Sequence, residues 1–107
     1  MDERVSCKAR LWRWTGGNGG AWHFATIAGA PAEALAGTAL MRRLEGLGRG
    51  FGSLRVRATI GATSWETSVF PQRSATGAAE WILPVKAAVR RAEHLAEGDE
   101  PLVELRF

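Results

Sequence analysis

Apolar and polar residues alternate from Val5 through Ser6, Cys7, Lys8, Ala9 and Arg10 to Leu11. Period two predicts a strand with one buried face. Gly16-Gly17-Asn18-Gly19-Gly20 follows, and Asn-Gly is a preferred tight-turn dipeptide. Ala21 to Ala28 then reads as the return strand. Gly29 and Pro31 break it. Proline suits the first turn of a helix, and the spacing predicts one running to about Glu45, with Leu35, Ala39, Leu40 and Leu44 on one face. Gly37 inside it costs about 1 kcal/mol relative to alanine. Gly46 to Gly52 is a loop. The stretch "SLRVRATI" alternates again, with Leu54, Val56, Ala58 and Ile60 inward and Arg55, Arg57 and Thr59 outward. Gly61-Ala62 turns the chain into a strand from Thr63 to Phe70, which Pro71 ends. Gln72 to Gly77 is a polar loop, and Ala79 to Leu83 a fifth strand. Pro84 opens a second helix whose stripe is Val85, Ala88, Val89, Ala92 and Leu95. Gly98-Asp99 turns the chain into a last strand, Leu102 to Phe107.

Six strands and two helices predict a mainly β fold, a small closed six-stranded β-barrel forming one domain over residues 1–107. Closure removes the exposed strand edges that aggregate. Val56, Ala58, Ile60, Val69, Leu83, Val89 and Leu105 are the expected core. The order strand, proline, helix, strand occurs twice, starting near Trp22 and near Trp81, as a faint internal duplication of elements rather than residues.

Hydrophobic residues make up 46% and charged ones 23%, which excludes an intrinsically disordered chain. The apolar runs are too short for a transmembrane helix, and no secretory leader is expected near Met1. A single cysteine excludes an internal disulfide framework, so a cytoplasmic location is expected, with Cys7 an inert thiol. Net charge is +3 and twelve of the fourteen cations are arginine. That permits an anionic or nucleic-acid partner without demanding one. Five tryptophans and no tyrosine in so short a chain matter more, because such rings dominate both cores and pockets.

Three stretches, "GAWHFATI" (Gly20 to Ile27), "TSWETSVFP" (Thr63 to Pro71) and "LPVKAAVRRAEHLAEGD" (Leu83 to Asp99), resemble the bacterial domain-of-unknown-function family nineteen-oh-five in order and spacing over nearly the whole chain. The resemblance implies a small β-barrel with flanking helices. In some members a YdeI/OmpD-associated segment follows. It implies no activity and no catalytic residues. A narrower stretch, "LPVKAAVRRAEHLAEGDEPLVEL", resembles the strand, proline, helix, Gly-Asp, strand signature of AbrB/MazE-type DNA-binding domains, a geometry that serves other barrels equally.

The glycine loop is a turn rather than a phosphate cradle, since it leads into a strand and carries no Lys-Ser/Thr pair. Two histidines and one cysteine without an acidic cluster make no zinc site, and no cofactor is expected. Thr63, Ser64, Thr67 and Ser68 sit within a strand, not at a nucleophile elbow. His23 lacks a second catalytic partner, so an enzyme built on it ranks last. The leading expectation is a non-catalytic binding module with a small-ligand or anion site at a barrel mouth. Trp22, Trp65 and Trp81 are its expected apolar walls, with Arg57, Thr67 and Lys86 as polar contacts. Lys86 is placed in a first helical turn, where free N–H groups and the ammonium together favour an anion. The alternative is a nucleic-acid-binding barrel that grips single strands through Lys8, Arg10, Trp12, Arg55 and Arg57. No membrane partner is expected.

Overall fold

The computed structural model describes residues 3–46 and 52–107. The elements in chain order are β1 (Arg4–Lys8), β2 (Leu11–Thr15), β3 (Ala21–Ile27), α1 (Ala30–Leu44), β4 (Leu54–Ile60), β5 (Thr63–Arg73), β6 (Ala79–Pro84), α2 (Ala87–Ala92) and β7 (Leu102–Arg106). Most of the expected glycine loop before β4 lies outside the described residues. No described helix is long and apolar enough to cross a membrane.

All seven strands join one sheet in the order β1-β7-β4-β5-β6-β3-β2, antiparallel throughout. The expected closed six-stranded barrel is therefore corrected to an open half-barrel of seven strands. The difference arises at Lys8–Leu11. The segment read as one long strand pairs with β7 up to Lys8 and with β3 from Leu11 onward. Between them the backbone turns to a third partner: Ala9 N donates to the Pro101 carbonyl, Leu11 N to that of Asp99, and Gly98 N to that of Leu11. No ladder joins β1 to β2, so these two consecutive strands form the two ends of the sheet.

Period two predicts the buried faces well, because one residue of slip would turn every side chain over. Leu54, Val56, Ala58 and Ile60 of β4 are buried, as are Val69, Leu83, Val89 and Leu105. Ala32, Leu35 and Ala39 of α1 join the same core, whereas Leu40 and Leu44 face out. No polar or charged residue is buried among the described residues. The repeated element order has a spatial counterpart. β3 lies beside β6 and β4 beside β7, with Ile27 opposite Trp81 and Ala58 opposite Leu105.

Two prolines behave differently from the sequence expectation. β5 continues through Pro71 to Arg73. Its pairing with β4 stops at Val69, so beyond that point only the β6 side is laddered and a missing N–H is tolerated. Pro84 is the last residue of β6, opposite Phe24, and does not open the helix. Val85 N still donates to the His23 carbonyl, holding the chain extended until Lys86, the N-cap of a six-residue α2.

Candidate functional site

The β2–β3 hairpin sets the first half of the site. Its glycine connection is a turn: Gly19 N donates to the Gly16 carbonyl, and the Asn18 side chain accepts from Gly20 N. In the returning strand the aliphatic side, Ala25 and Ile27, faces the core. Alternation therefore puts His23 on that side and Trp22 with Phe24 on the other. Trp22 is therefore 56% exposed, while Ala25 and Ile27 fill the interior.

At the end of the half-barrel, where β3, β5 and β6 meet the start of α2, lies a cleft of about 400 Å³. It is lined by Trp22 and His23 of β3, Trp65, Glu66 and Thr67 of β5, and Pro84, Lys86 and Arg90 around α2. Four of the six expected ligand contacts, Trp22, Trp65, Thr67 and Lys86, thus share one cleft. Arg57 is one strand further, opposite Glu66 and 4.0 Å from its carboxylate. Trp81 is buried at the other end of β6, on a separate hollow with Ala36, Ala39 and Arg43. The reason is the alternation within β6: Trp81 and Leu83 share the core face, but the cleft opens only where the strand ends.

Sequence reasoning missed Arg90 and understated His23. Arg90 lies four residues after Lys86, and its Nε donates to the Val85 carbonyl at 3.2 Å. An i, i+4 reading past the N-cap was the available signal. The half-buried His23 ring has its Nδ1 enclosed without a hydrogen-bond partner. Burial lowers its pKa, and the cations Arg90 and Arg13 lower it further against the opposing pull of Glu97, so the neutral ring is favoured over the protonated one.

Of the residues expected to grip nucleic acid, Arg55 and Arg57 share the outward side of β4 and the other three lie apart from them. Lys8 faces Leu102 on β7, while Arg57 faces Arg106 four residues along, roughly 13 Å away at strand rise. Trp12 lies on β2, at the far end of the strand order from β1, and Arg10 belongs to neither strand. Arg4, Arg106 and Arg57 instead stand directly opposite one another across β1, β7 and β4. Glu104 lies 3.9 Å from Arg4.

Other chemistry is sparse. Burial pushes the Cys7 thiol up, away from the reactive thiolate. Thr63 donates to the Glu93 carboxylate at 2.6 Å, and Thr59 shares a 2.8 Å hydrogen bond with Ser64, so these hydroxyls knit strand to strand and strand to helix end. Among the described residues no three His, Cys, Asp or Glu side chains come together to hold a metal.

A family model described as "Domain of unknown function (DUF1905)" matches residues 8–105. No curated protein and no solved structure matches the chain.

Proposed function

The chain belongs to the DUF1905 family, which assigns no activity, and we propose from the end cleft that it is a non-catalytic module binding a small anion. One observation carries the reading. Two cations, Lys86 and Arg90, line a cleft whose one acidic lining residue, Glu66, is already faced by Arg57. The cleft therefore keeps an excess of positive charge beside low-dielectric aromatic walls, where a carboxylate or phosphate is attracted most strongly. Arg90 is pre-positioned by its bond to Val85, which lowers the entropy lost on binding. Thr67 supplies a hydroxyl, and Trp22 with Trp65 supplies apolar area. Nothing in the cleft pairs a nucleophile with a base, so the chemistry favours holding over turnover. The volume lies within the range of small-ligand pockets.

The test is the melting temperature of wild type and Lys86→Ala against a panel of small carboxylates and phosphates. A hundredfold excess over Kd stabilises the fold by about 2.7 kcal/mol. For a domain of this size that is on the order of 10 °C. The shift is expected in wild type and sharply reduced in Lys86→Ala, which folds normally because Lys86 is exposed. No shift with any anion, or equal shifts in both proteins, contradicts the proposal.

A second reading rests on the row Arg4, Arg106 and Arg57. Like charges directly opposite destabilise a sheet; Glu104 and Glu66 offset this at Arg4 and Arg57, and a polyanion laid across the row would relieve the repulsion that remains. Nucleic acid is such a polyanion, and the row replaces the stripe expected from sequence. Its affinity for single-stranded DNA would fall steeply with salt. Arg57→Ala with Arg106→Ala should flatten the salt slope, and absence of binding at low salt removes this reading.

A further inference from the structure

Next to the charged cleft the outer face of β2, β3, β6 and β5 carries a second hollow of about 460 Å³. Its walls are Trp12, Trp14, Trp22, Phe24, Phe70 and Ile82, closed by Pro84 and Gln72. No charged side chain lines it. Strand register builds it row by row: Trp14 opposite Trp22, Trp12 opposite Phe24, Phe24 opposite Pro84, Phe70 opposite Ile82. Trp14 is 51% exposed, Trp22 56% and Phe70 42%. Aromatic surface of this kind left to water marks an interaction site. Three of its rings are held by contacts of their own. Trp12 Nε1 donates to Thr26 Oγ1 at 2.8 Å, Trp12 packs on Phe24 with centroids 5.1 Å apart, and the Trp22 and Phe24 rings are nearly parallel at 6.1 Å.

Trp22 and Pro84 line both hollows. They form the shared wall between a cleft with two cations and a shelf with no charge at all. A ligand filling both must therefore be charged at one end and apolar along the rest. We propose that the bound anion is amphipathic: a carboxylate or phosphate head held by Lys86 and Arg90, and a flat apolar body crossing Trp22 and Pro84 onto the aromatic shelf. This rests on the anion-binding reading and adds the class of ligand. A shelf whose rings are already held binds such a body at little ordering cost, and ring-on-ring contact contributes beyond area alone.

The experiment uses matched probes on the intact chain: acetate against indole-3-acetate, inorganic phosphate against phenyl phosphate, and neutral indole alone. Calorimetry on wild type, Trp14→Ser and Lys86→Ala gives the affinities, and sedimentation velocity gives the oligomeric state. In wild type the aromatic member of each pair should bind at least tenfold tighter than its bare anion. Trp14→Ser should erase that advantage and leave the bare anion's affinity unchanged. Lys86→Ala should weaken both members alike. If bare anions bind and the aromatic body adds nothing, this inference falls and the anion-binding reading stands. If no anion binds, both fall. Neutral indole binding as tightly as indole-3-acetate would make the shelf a separate apolar site and overturn the inference. So would a dimer that Trp14→Ser dissociates, because the shelf would then be covered by a second copy.

Discussion

His23 shows how a single side chain records its surroundings. It faces Arg13 across the β2–β3 ladder, Arg90 of α2 approaches it, and Lys86 and Glu66 line the same cleft. Its folded pKa lies below the ordinary value near 6.5 despite Glu97. The unfolded chain then binds more protons than the folded one once pH drops below about 6.5, so stability falls as the solution is acidified through the folded pKa. Wild type should lose stability between pH 7.5 and 5 relative to His23→Gln, in urea melts at each pH. A pH dependence identical in the two proteins would show that His23 contributes nothing to it. Gly61 gives a second residue-scale prediction. It turns β4 into β5 with φ of 59°, and a Cβ there would collide with the Glu93 carboxylate. Gly61→Ala should displace that carboxylate and break its hydrogen bond with Thr63. With the left-handed backbone penalty added, the loss is about 2 kcal/mol. Adding Glu93→Ala should cost less than the two single changes summed, since the clash disappears with its partner.

At the scale of elements, α2 ends in a cap that the sequence signals poorly. His94 occupies the left-handed position with φ of 54°. Leu95 N donates to the Arg90 carbonyl at 2.8 Å and His94 N to that of Arg91 at 3.4 Å, the double bond pattern of a Schellman cap. Glycine is the usual residue there, so His94→Gly should stabilise the protein by about 1 kcal/mol in chemical melts. A loss of stability would mean that the imidazole makes a contact worth more than the backbone strain. The same helix shows why its start was misread: Pro84 suits a helix N-terminus equally well, and only the long-range bond from Val85 to His23 decides for extended chain. Strand registers were legible because aliphatic residues alternate with arginine in β4. In β3 both faces are apolar or aromatic, so alternation finds the strand and leaves its facing open. Leu40 and Leu44 fit the helical period of α1, yet both stand exposed and only Ala32, Leu35 and Ala39 of that helix are buried.

Seen as a whole, the molecule separates its surface features by region. Core residues Ala25, Ile27, Val56, Leu83 and Leu105 are fully enclosed and uncharged. The arginine row lies on the β1–β7–β4 side, the aromatic shelf on the β2–β3–β6–β5 side, and the cationic cleft at the end where β3, β5 and β6 meet α2. Four of the six expected contacts fall in one cleft because β3, β5 and β6 bring Trp22, Trp65, Thr67 and the chain after Pro84 to the same end of the half-barrel. Trp81 was not separable from Trp22 and Trp65 by composition, since the same ring serves core and cleft. Arg90 enters the cleft because the chain stays extended through Val85 before α2 begins at Ala87.

The five tryptophans make the central claim directly measurable. Their indole N–H groups give one nitrogen–proton NMR signal each, and titration with a small carboxylate such as benzoate reads all five at once. Binding in the end cleft predicts saturable shifts at Trp22 and Trp65, with Trp81, buried beside α1, unmoved. The shifts at Trp22 and Trp65 should vanish in Lys86→Ala. Trp22 and Trp65 unmoved to saturating benzoate, or shifts equally large at Trp81, would contradict an anion site at the end of the half-barrel.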